Sequence, residues 1–199
     1  MSIAETTELV PVFSPLLRRY TLEEFWALPE PEDRAHYDLI GGNLFMVPPP
    51  DPPHGSVVSR LTKSLLGFLT GNNIAGNVYY PREAIYTEDT YIEPDLMYVS
   101  DQLELKMTGR RTSADIVFEI LSKTTATYDK TNKADTYLAL GVAELWLLDP
   151  DGKTIEVRNA VIRKGSLAWE IRRYRAGESA SSLVLTGWQV PIDNIFAGL

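Results

Sequence analysis

Apolar residues recur every three or four positions between residues 54 and 70, which is the spacing of one face of an α-helix. They are Val57, Val58, Leu61, Leu65, Phe68 and Leu69. The pattern predicts a helix from about His54 to Thr70, ended by Gly71, with an apolar stripe that packs on a sheet. Upstream, Thr21-Leu22-Glu23-Glu24 has the form of a capping box and predicts a short helix to about Leu28.

Runs of β-branched, aromatic and other apolar residues predict strands in much of the remaining chain. Two such runs flank Gly41-Gly42, so a tight hairpin is expected there. Further strands are predicted over 78–87, 96–99, 116–121, 144–148, 153–158, 169–174 and 183–185. A second long helix is predicted over 128–140, ended by Gly141. This order indicates an α/β fold with a mixed β-sheet core flanked by helices and a β-rich C-terminal part.

Length and composition indicate one folded domain. The chain has 199 residues, of which 44% are hydrophobic and 23% charged, as in ordinary globular proteins. We expect the domain to span 20–199, preceded by an N-terminal extension over 1–19 that does not resemble a secretory signal. No apolar stretch has the length of a membrane span, and there is no Cys. A soluble, cytoplasmic protein is therefore expected. Its four Trp residues, Trp26, Trp146, Trp169 and Trp188, are interpreted as core or interface packing residues.

The formal net charge of −8 argues against a protein that coats nucleic acid by non-specific attraction. It argues less against a nuclease, because carboxylates that hold a divalent cation are neutralised locally by that cation. Other enzyme classes lack their motifs: there is no Gly-x-Ser-x-Gly elbow, no phosphate-binding Gly-x-x-x-x-Gly-Lys loop and no pair of His at zinc spacing.

Two acids occupy positions where a carboxylate is costly. Glu119 lies within the apolar run 115–121, which has the pattern of a central strand buried on both faces. Asp95 follows Pro94 at the start of another apolar strand. On neighbouring strands these acids would supply the oxygen ligands that Mg²⁺ prefers, a suitable arrangement for phosphodiester hydrolysis. The alternatives are that Asp95 caps backbone donors and that Glu119 forms a buried salt bridge.

The helix predicted after this strand carries Asp129, Lys133 and Tyr137, each four residues from the last and therefore on one face. If that face turns toward Glu119, Lys133 can offset negative charge in a transition state. The alternatives are an exposed ion pair of Asp129 with Lys133 and a half-buried packing role for Tyr137. His54, at a helix start, is a candidate metal ligand or base, or a structural hydrogen-bonding residue.

A set of ordered motifs resembles the Uma-type restriction endonuclease family of the PD-(D/E)XK superfamily over roughly residues 20–158. The motifs are Tyr37-Asp38-Leu39-Ile40-Gly41-Gly42, His54-Gly55, Pro94-Asp95, Glu119-Ile120-Leu121-Ser122, Asp129-x-x-x-Lys133-x-x-x-Tyr137 and the run from Gly141 to Pro150. The resemblance implies a restriction-endonuclease-like core, Mg²⁺-dependent cleavage of nucleic acid, and a homodimer.

Residue by residue, the resemblance assigns the first acid of the motif to Asp95 and the second to Glu119. The superfamily lysine is absent at Leu121, and Lys133 matches its displaced position on the following helix. Asp38 stands where the family usually has Glu.

The resulting hypothesis is a Mg²⁺-dependent endonuclease, with Mn²⁺ as a substitute metal and DNA as the expected substrate. Asp95 and Glu119 bind metal, Lys133 and Asp38 complete the catalytic set, and His54, Asp129 and Tyr137 are accessory. The alternative is a catalytically silent interaction or regulatory protein that keeps the nuclease fold.

Overall fold

The computed structural model describes residues 18–31, 34–50 and 52–199. Most of the predicted N-terminal extension, residues 1–17, lies outside this part of the chain. The helices are α1 (Leu22–Trp26), α2 (His54–Gly71), α3 (Asp101–Glu104), α4 (Ala126–Tyr128), α5 (Ala134–Ala139) and α6 (Ile192–Ile195). A π-helical turn, Asp129–Lys133, joins α4 to α5.

Twelve strands accompany these helices in the described residues. They are β1 (His36–Ile40), β2 (Asn43–Val47), β3 (Asn77–Tyr79), β4 (Ile85–Tyr86), β5 (Tyr91–Ile92), β6 (Leu96–Val99), β7 (Ile116–Ile120), β8 (Glu144–Asp149), β9 (Thr154–Arg163), β10 (Ser166–Tyr174), β11 (Ser179–Ser181) and β12 (Gln189–Pro191). The predicted mixed α/β architecture is confirmed.

The main sheet has six strands in the order β10-β9-β8-β7-β6-β3. Strands β7 and β8 are parallel, and the other neighbouring pairs are antiparallel. Helical residues 126–139 connect the parallel pair, as a parallel connection requires. In this strand order β7 is a central strand, with β8 on one side and β6 on the other, and all five of its residues are buried.

A second sheet has the order β2-β1-β5-β4 and contains the predicted Gly41-Gly42 hairpin. Both glycines have positive φ, at 53° and 78°, which is the conformation that two-residue hairpin turns require. The continuous strand predicted over 78–87 is wrong, because the chain leaves β3 at Tyr80-Pro81 and Arg82 adopts a φ of 79°. Within this segment, β3 belongs to the main sheet and β4 belongs to the second sheet.

Apolar packing covers both faces of the main sheet. On one face, the predicted stripe of α2 packs with buried aromatic residues that include Phe118, Trp146 and Trp188. On the other face, Tyr137 and Ala134 pack with apolar residues of β6, β7 and β8. The capping box of α1 is present as predicted, since Thr21 and Glu24 bond reciprocally. None of the helices in the described ranges is long and apolar enough to cross a membrane.

The strand predicted over residues 183–185 is wrong, because this segment is a turn between β11 and β12. The amides of Leu183 and Val184 donate to Glu144 Oε2 at 2.7 and 3.3 Å, and Trp146 Nε1 donates to Glu144 Oε1 at 2.6 Å. Glu144 is fully buried, so these three donors replace the water that its carboxylate loses on folding. This acid anchors the C-terminal segment to the sheet.

Candidate active site

The pairing of β6 with β7 brings Asp95 and Glu119 to the same face of the main sheet. Leu96 pairs with Phe118 in antiparallel register, so the residue before Leu96 lies across from the residue after Phe118. Asp95 Oδ2 accepts a hydrogen bond from the Ile120 amide at 2.8 Å and lies 2.9 Å from His54 Nε2. Asp95 therefore does cap a backbone donor, and His54, at the start of α2, is held against it.

Lys133 lies at the centre of a group of acids contributed by separate elements. Its Nζ is 3.0 Å from Glu119 Oε1, 3.7 Å from Asp38 Oδ2 and 3.9 Å from Asp129 Oδ1. Lys133, Asp38, Glu119 and Asp129 are all buried. The alternative of an exposed Asp129–Lys133 ion pair is wrong, because the helix turns this face into the protein.

Lys133 ends the π-helical turn and Asp129 begins it. π-Turns within helices occur frequently at functional sites, where they change the direction of side chains relative to a regular helix. Threonine hydroxyls bond main-chain carbonyls around this turn: Thr131 donates to Thr127 O at 2.6 Å and Thr136 donates to Asn132 O at 2.7 Å. These are the back-bonds to the carbonyl four residues earlier that Thr side chains form within helices.

Two tyrosines hold the acids that contact Lys133. Tyr137 donates to Glu119 Oε1 at 2.5 Å, and Tyr128 donates to Asp38 Oδ2 at 3.0 Å. Tyr137 is fully buried and hydrogen-bonded, so the alternative of half-buried packing is wrong. Asp38 comes from β1, so the cluster, built from Asp38, Asp95, Glu119, Asp129 and Lys133, draws on both sheets and the connecting helix.

Burial, together with the charges of the neighbouring side chains, shifts the pKa values of the acidic cluster. Burial raises the pKa of Glu119 well above its usual value despite the opposing effect of Lys133, and Asp95 and Asp129 raise it further. Burial likewise raises the pKa of Asp129 to about 6. The pKa of Asp38 is lowered instead, since Lys133 and His36 outweigh its burial.

The surrounding acids keep Lys133 protonated. Burial alone lowers its pKa, but the surrounding acids, Glu119 first, outweigh burial and raise the pKa well above its usual value. One ammonium is thus shared among several carboxylates. The carboxylates of the cluster outnumber this ammonium, so the cluster favours uptake of a proton or an added cation.

The carboxylate oxygens of Asp95 and Glu119 suit a hard cation, such as Mg²⁺, that binds few protein ligands. Among the described residues, Glu119 accepts its hydrogen bonds at Oε1 and Asp95 at Oδ2, so each acid has a second oxygen without a protein donor. Both acids line a cavity of about 50 Å³. In the same part of the chain, no three acid or histidine side chains form a preformed metal cage. Mg²⁺ commonly binds through one or two carboxylates and retains several waters, so two acids suffice.

Two residues of the site were missed from the sequence. Glu93 lines the small cavity, and its main-chain carbonyl lies 3.4 Å from Lys133 Nζ. His36 also lines it, and its Nε2 lies 3.6 Å from Asp38 Oδ1 without a hydrogen-bond partner among the described residues. Each residue stands two positions before a predicted acid, in Glu93-Pro94-Asp95 and His36-Tyr37-Asp38. That spacing places His36 and Asp38 on one face of β1 and was the available signal for His36. Glu93 and Asp95 lie between β5 and β6, so Glu93 had no such signal.

The fold and site define the class: an α/β protein of the restriction-endonuclease type with a buried acid–lysine cluster on its central sheet. Comparison with known proteins identifies the family. Residues 22–193 match the Uma2 family, described as "Putative restriction endonuclease", and the chain belongs to that family. It is thus a member of a nuclease family, as its motifs predicted.

A solved structure from Anabaena variabilis, titled as a "putative nuclease belonging to DUF820", has a similar fold. The TM-score is 0.69 at 20% sequence identity, and the match covers 89% of this chain and 97% of that one. At this identity the likeness concerns the fold. No match was found among curated proteins.

Proposed function

We propose that the protein is a metal-dependent endonuclease that hydrolyses phosphodiester bonds, with DNA as its substrate and Mg²⁺ or Mn²⁺ as its metal. The observation that carries the proposal is the position of Lys133, buried 3.0 Å from Glu119 within a group of acids on the central sheet. A purely structural salt bridge needs one acid, whereas this lysine has three within 4 Å. Residues 20–199 would form one catalytic domain, acting in the cytoplasm.

Asp95 and Glu119 would hold the metal through the oxygens that have no protein donor. When bound, the ion would act as a Lewis acid at the scissile phosphate and would activate the attacking water. His54 and the Ile120 amide orient Asp95, while Tyr137 orients Glu119. Asp38 is fixed by Tyr128 and by the Glu93 amide, and it keeps Lys133 protonated and in place. The Lys133 ammonium then stabilises negative charge that develops on the phosphate.

Cleavage of supercoiled plasmid with Mg²⁺ or Mn²⁺ tests this function. We expect Glu119→Gln and Lys133→Met to lower the cleavage rate by at least about 100-fold, the order found when an electrostatic stabiliser is removed. Glu88→Gln and Lys106→Met are matched controls, because both residues are exposed and outside the cluster. Unchanged cleavage by the two cluster variants would mean that this site is not catalytic.

The second candidate is a catalytically silent interaction or regulatory protein. The observations that favour it are a lysine that already neutralises part of the cluster and a net charge of −8, which disfavours binding to nucleic acid. Calorimetric titration with Mn²⁺ separates the candidates. A metal-dependent nuclease should give a heat of Mn²⁺ binding that disappears in Asp95→Ala, whereas a silent protein should give no such heat.

We also propose a homodimer, formed through the β9–β10 hairpin. The hairpin exposes Ile162 on β9 and Leu167 and Ile171 on the edge strand β10, which are 77%, 57% and 45% accessible. Residues 154–175 carry six basic and two acidic side chains in a chain of net charge −8, so the hairpin complements the acidic remainder of a second copy. Light scattering should give twice the chain mass, and Leu167→Asp should give the monomer; a monomeric wild type would contradict this assembly.

A further inference from the structure

We propose that the cleft between α2 and the Tyr80-Pro81-Arg82 segment receives an unpaired nucleotide of the substrate strand. The protein would then prefer single-stranded or locally unpaired nucleic acid to a regular duplex. This inference rests on the proposed nuclease function and specifies the form of its substrate. The α2 cleft, as we call it, has a volume of about 510 Å³.

One face of α2 forms a wall of the cleft. Its lining residues recur in pairs along the helix and are His54, Gly55, Val58, Ser59, Thr62 and Lys63. The opposite face of α2, which carries Val57, Leu61 and Leu65, is buried in the core. The wall is therefore held rigidly on an 18-residue helix. A rigid wall is suited to positioning a strand next to the catalytic cluster.

The α2 cleft is continuous with the acidic cluster. His36, Pro50, His54, Glu93 and Asp95 line both the cleft and the small cavity beside Glu119 and Lys133. A strand whose phosphate reaches Asp95 therefore has its neighbouring nucleotide at the cleft.

The remaining lining suits the two parts of a nucleotide. Val58, Pro81 and Pro94 provide apolar surface, and Tyr80 is 46% exposed, as an aromatic side chain that stacks on a base must be. Basic groups complement the phosphates: Lys63 is exposed and lines the cleft.

Arg34 and Arg82 add further positive charge to the cleft, although the chain as a whole carries −8. Both have positive φ, at 61° and 79°, a costly conformation for a non-glycine residue. Such strain clusters at ligand-binding sites. Arg82 also lies 3.7 Å from Glu93, which links the cleft to the cluster.

The size of the cleft favours an unpaired nucleotide over a duplex. Its volume lies in the range of about 300–1,000 Å³ that is typical of small-molecule pockets. A duplex keeps its bases stacked inside, so a base enters such a pocket only when it is unpaired or extruded.

Fluorescence anisotropy in EDTA tests this inference without cleavage. The probes are a short fluorescein-labelled DNA strand, the RNA of the same sequence, the matching duplex, and that duplex with one unpaired central nucleotide. We expect the DNA or RNA strand and the interrupted duplex to bind about tenfold more tightly than the perfect duplex, as base stacking on an aromatic side chain provides.

Ser59→Trp should fill the cleft and remove this preference, whereas Ser56→Trp, an exposed position of α2 outside the cleft, should keep it. Lys63→Ala should weaken strand binding severalfold. Because Lys63 is exposed, this variant should stay folded, and it tests the inference if Ser59→Trp unfolds. Three results would overturn the inference: equal binding of strand and perfect duplex, unaltered preference in folded Ser59→Trp, or unaltered strand affinity in Lys63→Ala. Preference for the single strand without any cleavage activity would refute only the nuclease function. Cleavage without that preference would refute only the proposed role of the α2 cleft.

Discussion

The acidic cluster should cost the protein stability at neutral pH, and Asp129→Asn should recover part of that cost. Asp129 is buried, and its pKa rises from 3.8 to about 6, with burial as the largest cause. Because a tenfold change in proton affinity corresponds to about 1.4 kcal/mol, the ionised side chain destabilises the fold by about 3 kcal/mol. The asparagine variant has a similar shape without the charge.

The sign of the pH dependence follows from the direction of this shift. An acid whose pKa is higher in the folded state binds more protons there, so stability falls as pH rises from about 3.8 and levels off above about 6. The cost is therefore about 1 kcal/mol at pH 4.5 and complete at pH 8. The free energy of unfolding of Asp129→Asn, relative to that of wild type, should therefore be about 2 kcal/mol higher at pH 8 than at pH 4.5.

Urea unfolding followed by circular dichroism in EDTA measures this difference. Wild type and Asp129→Asn should have similar m-values, so the change in midpoint reports stability. Asp135→Asn is the matched control, because Asp135 is exposed on the adjoining helix; its effect should stay within about 0.5 kcal/mol at both pH values. An Asp129→Asn effect that is independent of pH, or a loss of stability at pH 8, would refute the electrostatic account.

Three further predictions concern the same interior. Lys133→Met should destabilise the protein by about 3–5 kcal/mol at pH 8, because it leaves buried acids without their cation; calorimetry showing an unchanged melting temperature would contradict this. Tyr137→Phe should cost about 1–3 kcal/mol and lower the plasmid cleavage rate, since Glu119 loses a donor; both quantities unchanged would remove its positioning role. Glu144→Gln should reduce stability in urea yet leave cleavage per folded molecule as in wild type, because this acid serves the C-terminal turn; a selective loss of cleavage would argue otherwise.

Local sequence signals predicted most elements of the fold. The helical spacing of α2, the Gly41-Gly42 hairpin and the apolar run around Glu119 each depend on nearby residues, and each is found in the structure. The incorrectly predicted elements are those whose conformation depends on tertiary contacts. Residues 183–185 are apolar, but their amides are drawn to the buried Glu144 carboxylate and form a turn.

The candidate site was predictable as a set of residues but not as an arrangement. The cost of burying a carboxylate identified Glu119, and helical spacing grouped Asp129, Lys133 and Tyr137. The π-helical turn had no signal in the sequence, because its hydrogen bonds depend on the surrounding structure. The contribution of Asp38 from the second sheet came from the family resemblance alone, and Glu93 and His36 came only from the fold.

The proposed nuclease activity requires Asp95 and Glu119 to share one divalent cation beside Lys133. The most direct measurement is the anomalous difference map of a crystal soaked in Mn²⁺. We predict one peak in contact with both carboxylates, absent in an Asp95→Ala crystal soaked in the same way. A map with no peak between the two acids, or with Mn²⁺ bound only elsewhere on the protein, would contradict the proposed metal site.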